Sequence, residues 1–180
     1  YMDSSLLIHD VKTENLFWLI DMADKYKTYN FGRCGNAGNE FLQVGSVCKM
    51  NNDSVLGVWD SYRRNLQAIN LKQVKRLEDD YPVIMKDTTS KFRIKLYATK
   101  YGNYLGLGFY ENGMLSLSGP TMQTSYFFEY PYRDQHERMT SNRLRGMAYQ
   151  GTLCANESQD KFLYAIHTAP IFMLFSVSDN

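Results

Sequence analysis

The chain has too few cysteines to be a scaffold held together by disulfides. Its 180 residues include three, Cys34, Cys48 and Cys154, and three thiols form at most one bridge with one thiol left over. Cys34 and Cys48 are close along the chain, while Cys154 is an alternative partner. The pairing therefore stays open, and stability has to come from an apolar core, for which this length suffices in one domain.

Long apolar runs and an excess of charge of one sign are also missing. The run at 16–20 is typical of the longest apolar stretch, and it is far too short to cross a bilayer. No signal peptide is evident, which fits either a cytosolic protein or the mature form of a secreted one. The net charge is only +1. We therefore expect neither membrane insertion nor nucleic-acid binding.

The patterns that usually carry catalysis or metal binding are absent as well. The three histidines, His9, His136 and His167, are not in H-x-x-x-H spacing, and no two cysteines are in C-x-x-C spacing. The chain has neither a G-x-S-x-G nucleophile turn nor a G-x-x-x-x-G-K-[ST] phosphate loop. We therefore expect no metal, no cofactor and no enzymatic activity.

Aromatic residues, by contrast, are abundant. The chain has 14 tyrosines and 10 phenylalanines, which favour half-buried strands. From residue 29 onward, short apolar runs alternate with Gly, Asn, Asp and Ser, and we predict twelve strands there. The strongest single signal is Asn112-Gly113 between two alternating runs, which predicts a tight hairpin because both residues tolerate positive φ.

The residues before this region have a different period. Between 13 and 26, apolar residues recur at three- and four-residue spacing and predict one short amphipathic helix. The positions that define this face are Leu16, Leu19, Ile20, Ala23 and Tyr26.

The predicted hairpins repeat along the chain. Similar two-strand patterns occupy 39–58, 103–117 and 152–165, and a third apolar strand follows each of them. Three such repeats favour a closed β architecture with pseudo-threefold symmetry. The polar segment 71–91 breaks the spacing, and we interpret it as a surface insertion.

Several of these segments, taken in order, resemble fibroblast growth factors. The stretch 92–107, with Asn112-Gly-Met-Leu-Ser-Leu117 and Tyr126-Phe-Phe-Glu129, is similar to the centre of that family, and 152–175 is similar to its end. The resemblance implies an all-β, twelve-strand β-trefoil over 29–178, preceded by an N-terminal segment 1–28 with the helix. It also implies a secreted, extracellular ligand that binds and activates a receptor tyrosine kinase through its ectodomain.

Receptor contacts follow from the same resemblance. Glu129 matches an acid that pairs with a receptor arginine, and Phe175 and Val177 match apolar contacts. Asp134 and His136 stand where the family has other residues. The full predicted receptor-binding set is Glu129, Phe175, Val177, Asp134, His136, Phe31, Phe17 and Trp18.

The glycan site of that family is poorly represented in this chain. Only Lys161 is cationic in the matching segments, so we expect weak heparan sulfate binding. A protein co-receptor, or the basic residues Arg138, Arg143 and Arg145, would take its place. Two N-x-S/T sequons predict glycosylation at Asn52 and Asn156.

Two other trefoil functions are the alternatives. Trefoil lectins carry a Gln-x-Trp motif in each lobe, and neither Trp18 nor Trp59 lies in such a motif. A protease inhibitor needs a rigid reactive loop, for which 71–91 is the candidate. Fold alone does not decide among these functions.

Overall fold

The computed structural model describes residues 2, 4–88, 92–121, 123–131, 134–135 and 139–178. Within them the chain forms four antiparallel sheets in succession and two short helices. The first sheet consists of β1 (Ser5–His9), β2 (Asn15–Asp21), β3 (Lys27–Cys34) and β4 (Glu40–Phe41), and β4 pairs parallel with β3. The second consists of β5 (Val44–Lys49), β6 (Val55–Asp60), β7 (Asn65–Asn70) and β8 (Val83–Lys86), with α1 (Leu71–Lys75) between β7 and β8.

The third sheet consists of β9 (Phe92–Ala98), β10 (Tyr104–Phe109), β11 (Leu115–Ser118) and β12 (Thr124–Phe127). The helix α2 (Asn142–Ala148) precedes the fourth sheet, which consists of β13 (Gly151–Ala155), β14 (Lys161–Ile166) and β15 (Phe172–Ser176). In every sheet the strands lie side by side in chain order. Each sheet is therefore built from strands that are consecutive in the chain.

The predicted β-trefoil is therefore wrong. Each strand finds its hydrogen-bonding partners among the strands next to it in the sequence, so the described strands form four separate sheets. The hairpins predicted at 103–117 and 152–165 are present as β10–β11 and β13–β14, but they belong to separate sheets rather than to lobes around a threefold axis. At 39–58, the strand that pairs with β6 is β5, while β4 belongs to the first sheet. The chain divides into two compact units, Tyr1–Thr88 and Thr89–Asn180, each containing two sheets.

The predicted N-terminal helix is also wrong, because the segment 13–26 contains β2 and the turn after it. Phe17 and Leu19 are fully buried, and Leu16 beside them is buried as well. A strand that is covered on both faces has a continuous apolar run, and such a run fits helical spacing equally well.

The loop between β2 and β3, residues 22–26, ends in a tight turn. The N–H of Lys27 donates to the carbonyl of Asp24 at 2.8 Å, and Lys25 and Tyr26 have φ of 48° and 61°. Two central residues with positive φ define the type I′ turn, which matches the twist of the strands but normally uses Asn and Gly. Tyr26 is therefore an exposed aromatic residue in a backbone conformation that costs free energy.

The described part of the segment 71–91, which runs to residue 88, belongs to the first unit and is not an insertion on its surface. Leu71 and Val74 of α1 and Tyr81 after it are buried in the apolar core of that unit, and β8 pairs with β7. The core residues are Met2, Leu16, Phe17, Leu19, Tyr29, Phe31, Phe41, Leu56, Val58, Ile69, Leu71, Val74 and Tyr81.

A buried carboxylate holds the turn between β6 and β7. Asp60 is fully buried, and its Oδ1 accepts hydrogen bonds from the N–H groups of Tyr62 and Arg63 at 3.0 and 2.9 Å. Its Oδ2 accepts from the N–H of Leu42 at 2.7 Å and lies 3.9 Å from Nε of Arg63. The carboxylate therefore connects this turn to the chain that enters the second sheet.

The guanidinium of Arg63 extends that connection to the first sheet. It donates to the carbonyls of Ala37 and Glu40 at 3.0 and 2.6 Å and to that of Gly35 at 2.8 Å. We call Asp60 and Arg63 together the Asp60–Arg63 clamp. It satisfies the backbone of the irregular stretch 35–42 between the two sheets.

Replacing Asp60 by alanine is expected to lower the free energy of unfolding of the first unit by about 3–5 kcal/mol, because buried donors and the charge of Arg63 lose their partner. Urea denaturation followed by tryptophan fluorescence measures this, since Trp18 and Trp59 both lie in the first unit. The control is Asp53→Ala, which removes a carboxylate that is 72% exposed and should cost less than about 1 kcal/mol. Equal effects of the two changes would contradict the role of the clamp.

Replacing Tyr26 by glycine is expected to raise that free energy of unfolding by about 1 kcal/mol, because glycine adopts positive φ without steric cost. The matched control is Tyr62→Gly, since the two side chains are similarly exposed, at 71% and 73%. Tyr62 lies outside the left-handed region, so glycine there should lower stability. The same denaturation experiment measures both, and destabilisation by Tyr26→Gly would contradict the assignment of the turn.

Candidate functional site

The best-formed cleft lies in the second unit, where the third and fourth sheets and α2 meet. It has a volume of about 440 Å³, part of which is open to solvent. Its lining residues are Ile94, Lys95, Leu107, Gly108, Met114, Tyr130, Gly146, Tyr149, Gln150, Gly151, Tyr164 and His167. We call it the tyrosine cleft.

Hydrogen bonds to the backbone fix two of its three tyrosines. The hydroxyl of Tyr130 donates to the carbonyl of Tyr110 at 3.1 Å, and that of Tyr164 donates to the carbonyl of Tyr149 at 2.7 Å. The rings of Tyr130 and Tyr149 lie 5.5 Å apart between centroids. Because these two hydroxyls already have protein acceptors, Tyr130 and Tyr164 offer a ligand mainly apolar aromatic surface.

The same two tyrosines resist ionisation. Burial raises the pKa of Tyr130 to about 12, with a further contribution from the negative charge of Glu111. Burial likewise raises the pKa of Tyr164 to about 12. Both rings are therefore neutral at physiological pH, and neither contributes a negative charge to the cleft.

A buried cation lies behind the aromatic wall. Arg145 on α2 is 6% exposed, and its guanidinium carbon lies 5.3 and 5.8 Å from the ring centroids of Tyr130 and Tyr149. One of its nitrogens donates to Oδ1 of Asn142 at 3.0 Å. These cation–π contacts stabilise the arginine inside the fold, so Arg145 does not present its charge to an extended glycan as predicted.

Close packing at two glycines positions the tyrosine rings. A Cβ on Gly151 would lie 2.2 Å from the carbonyl oxygen of Ala165 and 2.7 Å from the ring of Tyr164. A Cβ on Gly146 would lie 2.8 Å from the hydroxyl of Tyr130. Only glycine leaves room for the rings at these two positions.

A β-bulge shapes the wall opposite the helix. Lys95 pairs with Leu107 and Arg93 pairs with Gly108, so Ile94 is an additional residue between two successive pairs. Ile94 and Lys95 are neighbours in the chain, and both line the cleft. Bulges redirect side chains in this way, and they are common beside functional sites.

The polar rim of the cleft consists of Lys95, Gln150 and His167. Nε2 of His167 lies 2.8 Å from the hydroxyl of Thr152, and its N–H donates to the carbonyl of Gln150 at 2.9 Å. Lys95 is half-buried, whereas Gln150 and His167 are exposed. The cleft thus combines an apolar aromatic interior with a few polar groups at its edge.

A second concave surface, the aromatic groove, lies elsewhere in the same unit. It has a volume of about 560 Å³, and its lining residues are Leu117, Phe127, Phe128, Phe175, Ser176, Val177 and Ser178. Phe128 has a φ of 60° although it is not a glycine, and its ring lies 5.3 Å from that of Phe175. The predicted contacts Phe175 and Val177 therefore do share a surface, next to the exposed Glu129.

The other residues predicted to bind a receptor are not part of this surface. Phe17 and Phe31 are buried in the core of the first unit with ring centroids 5.2 Å apart, and the neighbouring Trp18 is half-buried. Core packing therefore accounts for Phe17 and Phe31. Asp134 is exposed, and His136 lies outside the described residues.

The basic residues predicted to bind glycans are not brought together as one patch of exposed charge. Lys161 is exposed at the start of β14, and the guanidinium of Arg143 lies 4.0 Å from the ring centroid of Phe92. Arg145 is buried, as described above, and Arg138 lies outside the described residues.

Both sequon asparagines are exposed, and each caps a turn. Oδ1 of Asn156 accepts from the N–H groups of Asp160 and Lys161 at 3.1 and 3.0 Å, and its Nδ2 donates to Asp160. Oδ1 of Asn52 accepts from the N–H of Ser54 at 2.9 Å. Glycosylation at these two positions stays a prediction. The three cysteines are free thiols.

The described residues offer neither a metal site nor a membrane-spanning helix. They contain no group of three or more His, Cys, Asp or Glu side chains arranged to hold a metal ion. In that same part of the chain, no helix is long and apolar enough to cross a membrane.

Comparison with known proteins gives structural matches only. No family model and no curated protein matches the chain. A Bacteroides thetaiotaomicron protein of unknown function is similar in structure with a TM-score of 0.55 at 12% identity, over 91% of this chain and 40% of that one. A member of the DUF4221 family from Bacteroides vulgatus has a TM-score of 0.56 at 9% identity, over 96% of this chain and 54% of that one.

These two matches show the fold alone, and this chain spans about half the length of those proteins or less. A putative exported protein from Bacteroides fragilis is also similar, with a TM-score of 0.47 at 10% identity, over 98% of this chain and 73% of that one. A score at that level carries no argument for this chain.

The resemblance to fibroblast growth factors is therefore wrong. The similar structures are bacterial proteins, and the two that show the fold are named as a protein of unknown function and a DUF4221 member. The four meander sheets rule out the trefoil on which the growth-factor, lectin and inhibitor functions rested. The predicted partners, namely the receptor, the co-receptor and heparan sulfate, rested on the same resemblance and are wrong as well.

Sequence reasoning missed the tyrosine cleft and above all Lys95. Strand alternation at 92–96 predicts that Arg93 and Lys95 share one outer face, but the bulge at Ile94 breaks the alternation and Arg93 is buried. The only visible signal was Gly106-Leu-Gly108 on the neighbouring strand, since glycines inside strands often accompany bulges.

The second unit is expected to lose stability as pH rises from about 10 to about 12. The pKa values of Tyr130 and Tyr164 are raised in the folded state, so the unfolded chain releases these protons first and unfolding becomes more favourable. Urea denaturation followed by near-ultraviolet circular dichroism measures the loss. Tyr164→Phe should flatten this pH dependence and remove one late-ionising tyrosine from an absorbance titration. Ionisation of every tyrosine in one step near pH 10 would contradict it.

Proposed function

We propose that the chain is a non-enzymatic binding module whose tyrosine cleft holds one small, largely apolar organic molecule. The observation that supports this is the cleft itself, where three tyrosines and apolar residues of both sheets meet a short polar rim. A concave apolar surface with a few convergent polar groups is the usual form of a small-molecule site.

The chemistry of the lining favours binding over catalysis. Among the described residues that line the cleft, none is a carboxylate or a thiol. Tyr130 and Tyr164 have raised pKa values, so they are poor bases at neutral pH. His167 contacts Thr152 and has no acidic partner in the lining, so a nucleophile–base–acid relay is not assembled there.

The location of the protein is a further part of the proposal. Secretion to the outside of the cell stays a prediction. A small-molecule module of this kind would act there on diffusible ligands rather than on a signalling receptor.

The uncharged fluorescent dye N-phenyl-1-naphthylamine tests the proposed function. We expect it to bind the purified protein at one site, with increased fluorescence, because the aromatic interior excludes water. Gln150→Trp should weaken this binding at least tenfold, because Gln150 is an exposed rim residue and a large side chain there closes the entrance.

The matched control is Gln123→Trp, a substitution of the same type at an exposed position that does not line the cleft. It should leave the affinity unchanged. The dye is excited outside the tryptophan absorption band, so the introduced residue does not interfere. No saturable binding, or equal weakening by both substitutions, would overturn the proposed function.

A further inference from the structure

We infer that the ligand of the tyrosine cleft carries a negative charge, which the ammonium group of Lys95 binds. This inference rests on the proposed function and adds the chemical class of the ligand: an aromatic or otherwise apolar body with one anionic group.

The bulge gives the lysine its place in the wall. In a regular strand, successive side chains point to opposite faces, so Ile94 and Lys95 would not line the same cleft. The additional residue Ile94 between the pairs Arg93–Gly108 and Lys95–Leu107 changes this, and both residues line the cleft. An irregularity of the sheet thus places a cation in an otherwise apolar wall.

Among the described residues that line the cleft, none carries a carboxylate. Lys95 and His167 are in the lining, and the guanidinium of Arg145 lies behind the rings of Tyr130 and Tyr149. The tyrosine hydroxyls do not oppose them with a negative charge at neutral pH. The cleft therefore attracts an anion and repels a cation.

One carboxylate, that of Glu111, has an electrostatic effect on this region, but both of its oxygens already accept hydrogen bonds from the backbone. Glu111 acts on Tyr130, yet its two oxygens accept hydrogen bonds from the N–H groups of Asn142 and Arg143 at 3.1 Å each. Among the described residues, the ion pairs all involve other cations than Lys95. A ligand anion would supply the opposite charge for this lysine.

The position of Lys95 makes such an ion pair stronger than one at the surface. The residue is half-buried and lies beside Ile94, Leu107 and Met114, which lower the local dielectric constant. Attraction between two charges grows as the dielectric constant falls. The alternative role of Lys95, in which its aliphatic chain covers apolar surface and its ammonium stays in water, predicts no preference for an anion.

A pair of dyes that differ by one charge separates these two roles. 8-Anilinonaphthalene-1-sulfonate has the same aromatic body as N-phenyl-1-naphthylamine and one sulfonate in addition. We expect wild-type protein to bind the sulfonate at least tenfold more tightly than the neutral dye. Added salt should weaken only the binding of the sulfonate, because salt screens the attraction of charges.

Variants of Lys95 then assign the effect to this side chain. Lys95→Met should weaken sulfonate binding about tenfold and change binding of the neutral dye less than twofold. Lys95→Arg should keep the preference for the sulfonate, because it keeps the charge. Lys161→Met, at an exposed lysine outside the cleft, should affect neither dye.

The outcomes distinguish the inference from the proposed function. Equal affinity of the wild-type protein for both dyes, or equal weakening of both by Lys95→Met, would overturn the inference while the cleft remained a binding site. A loss of sulfonate preference in Lys161→Met would also overturn it. Failure of both dyes to bind would overturn the inference and the proposed function together.

Discussion

The structure depends on the fact that each of its small sheets has an apolar face that has to be covered. In the second sheet, β6 is buried along almost its whole length, from Leu56 to Asp60. A sheet of three or four short strands is not stable by itself with such faces exposed, so each sheet packs against a neighbour. The two apolar cores of the chain, one in each unit, follow from this requirement.

Where two sheets of a unit pack together, the backbone between them is irregular. Its N–H and carbonyl groups then need polar side chains as hydrogen-bond partners. In the first unit, the Asp60–Arg63 clamp provides them for the stretch 35–42. In the second unit, the hydroxyls of Tyr130 and Tyr164 serve backbone carbonyls in a comparable way. The tyrosine cleft lies where the rings of these tyrosines border the gap between the third and fourth sheets. Structural support and a binding surface thus come from the same residues.

Local features were predictable from the sequence, and the arrangement of sheets was not. The antiparallel pairing of β10 with β11 confirms a hairpin around Asn112-Gly113. The predicted tight turn is wrong, because the loop spans 110–114 and neither Asn112 nor Gly113 has a positive φ. The repeat of hairpins was also visible, but counting three instead of four sheets followed from assigning a helix to 13–26, where burial on both faces hides the strand period. Lys95 was missed because a bulge depends on pairing between strands, and residue alternation within one strand does not contain that information.

Because every sheet is made of strands that follow one another in the chain, nearly all pairing partners are close in sequence. Folds with local contacts close small loops and tend to fold quickly. A nascent chain can therefore complete each sheet soon after its last strand leaves the ribosome, and it need not wait for distant segments. Within each unit, the first sheet can then offer its apolar face to the second sheet as that sheet is made. Assembly in the order of synthesis protects strand edges that would otherwise be free to aggregate.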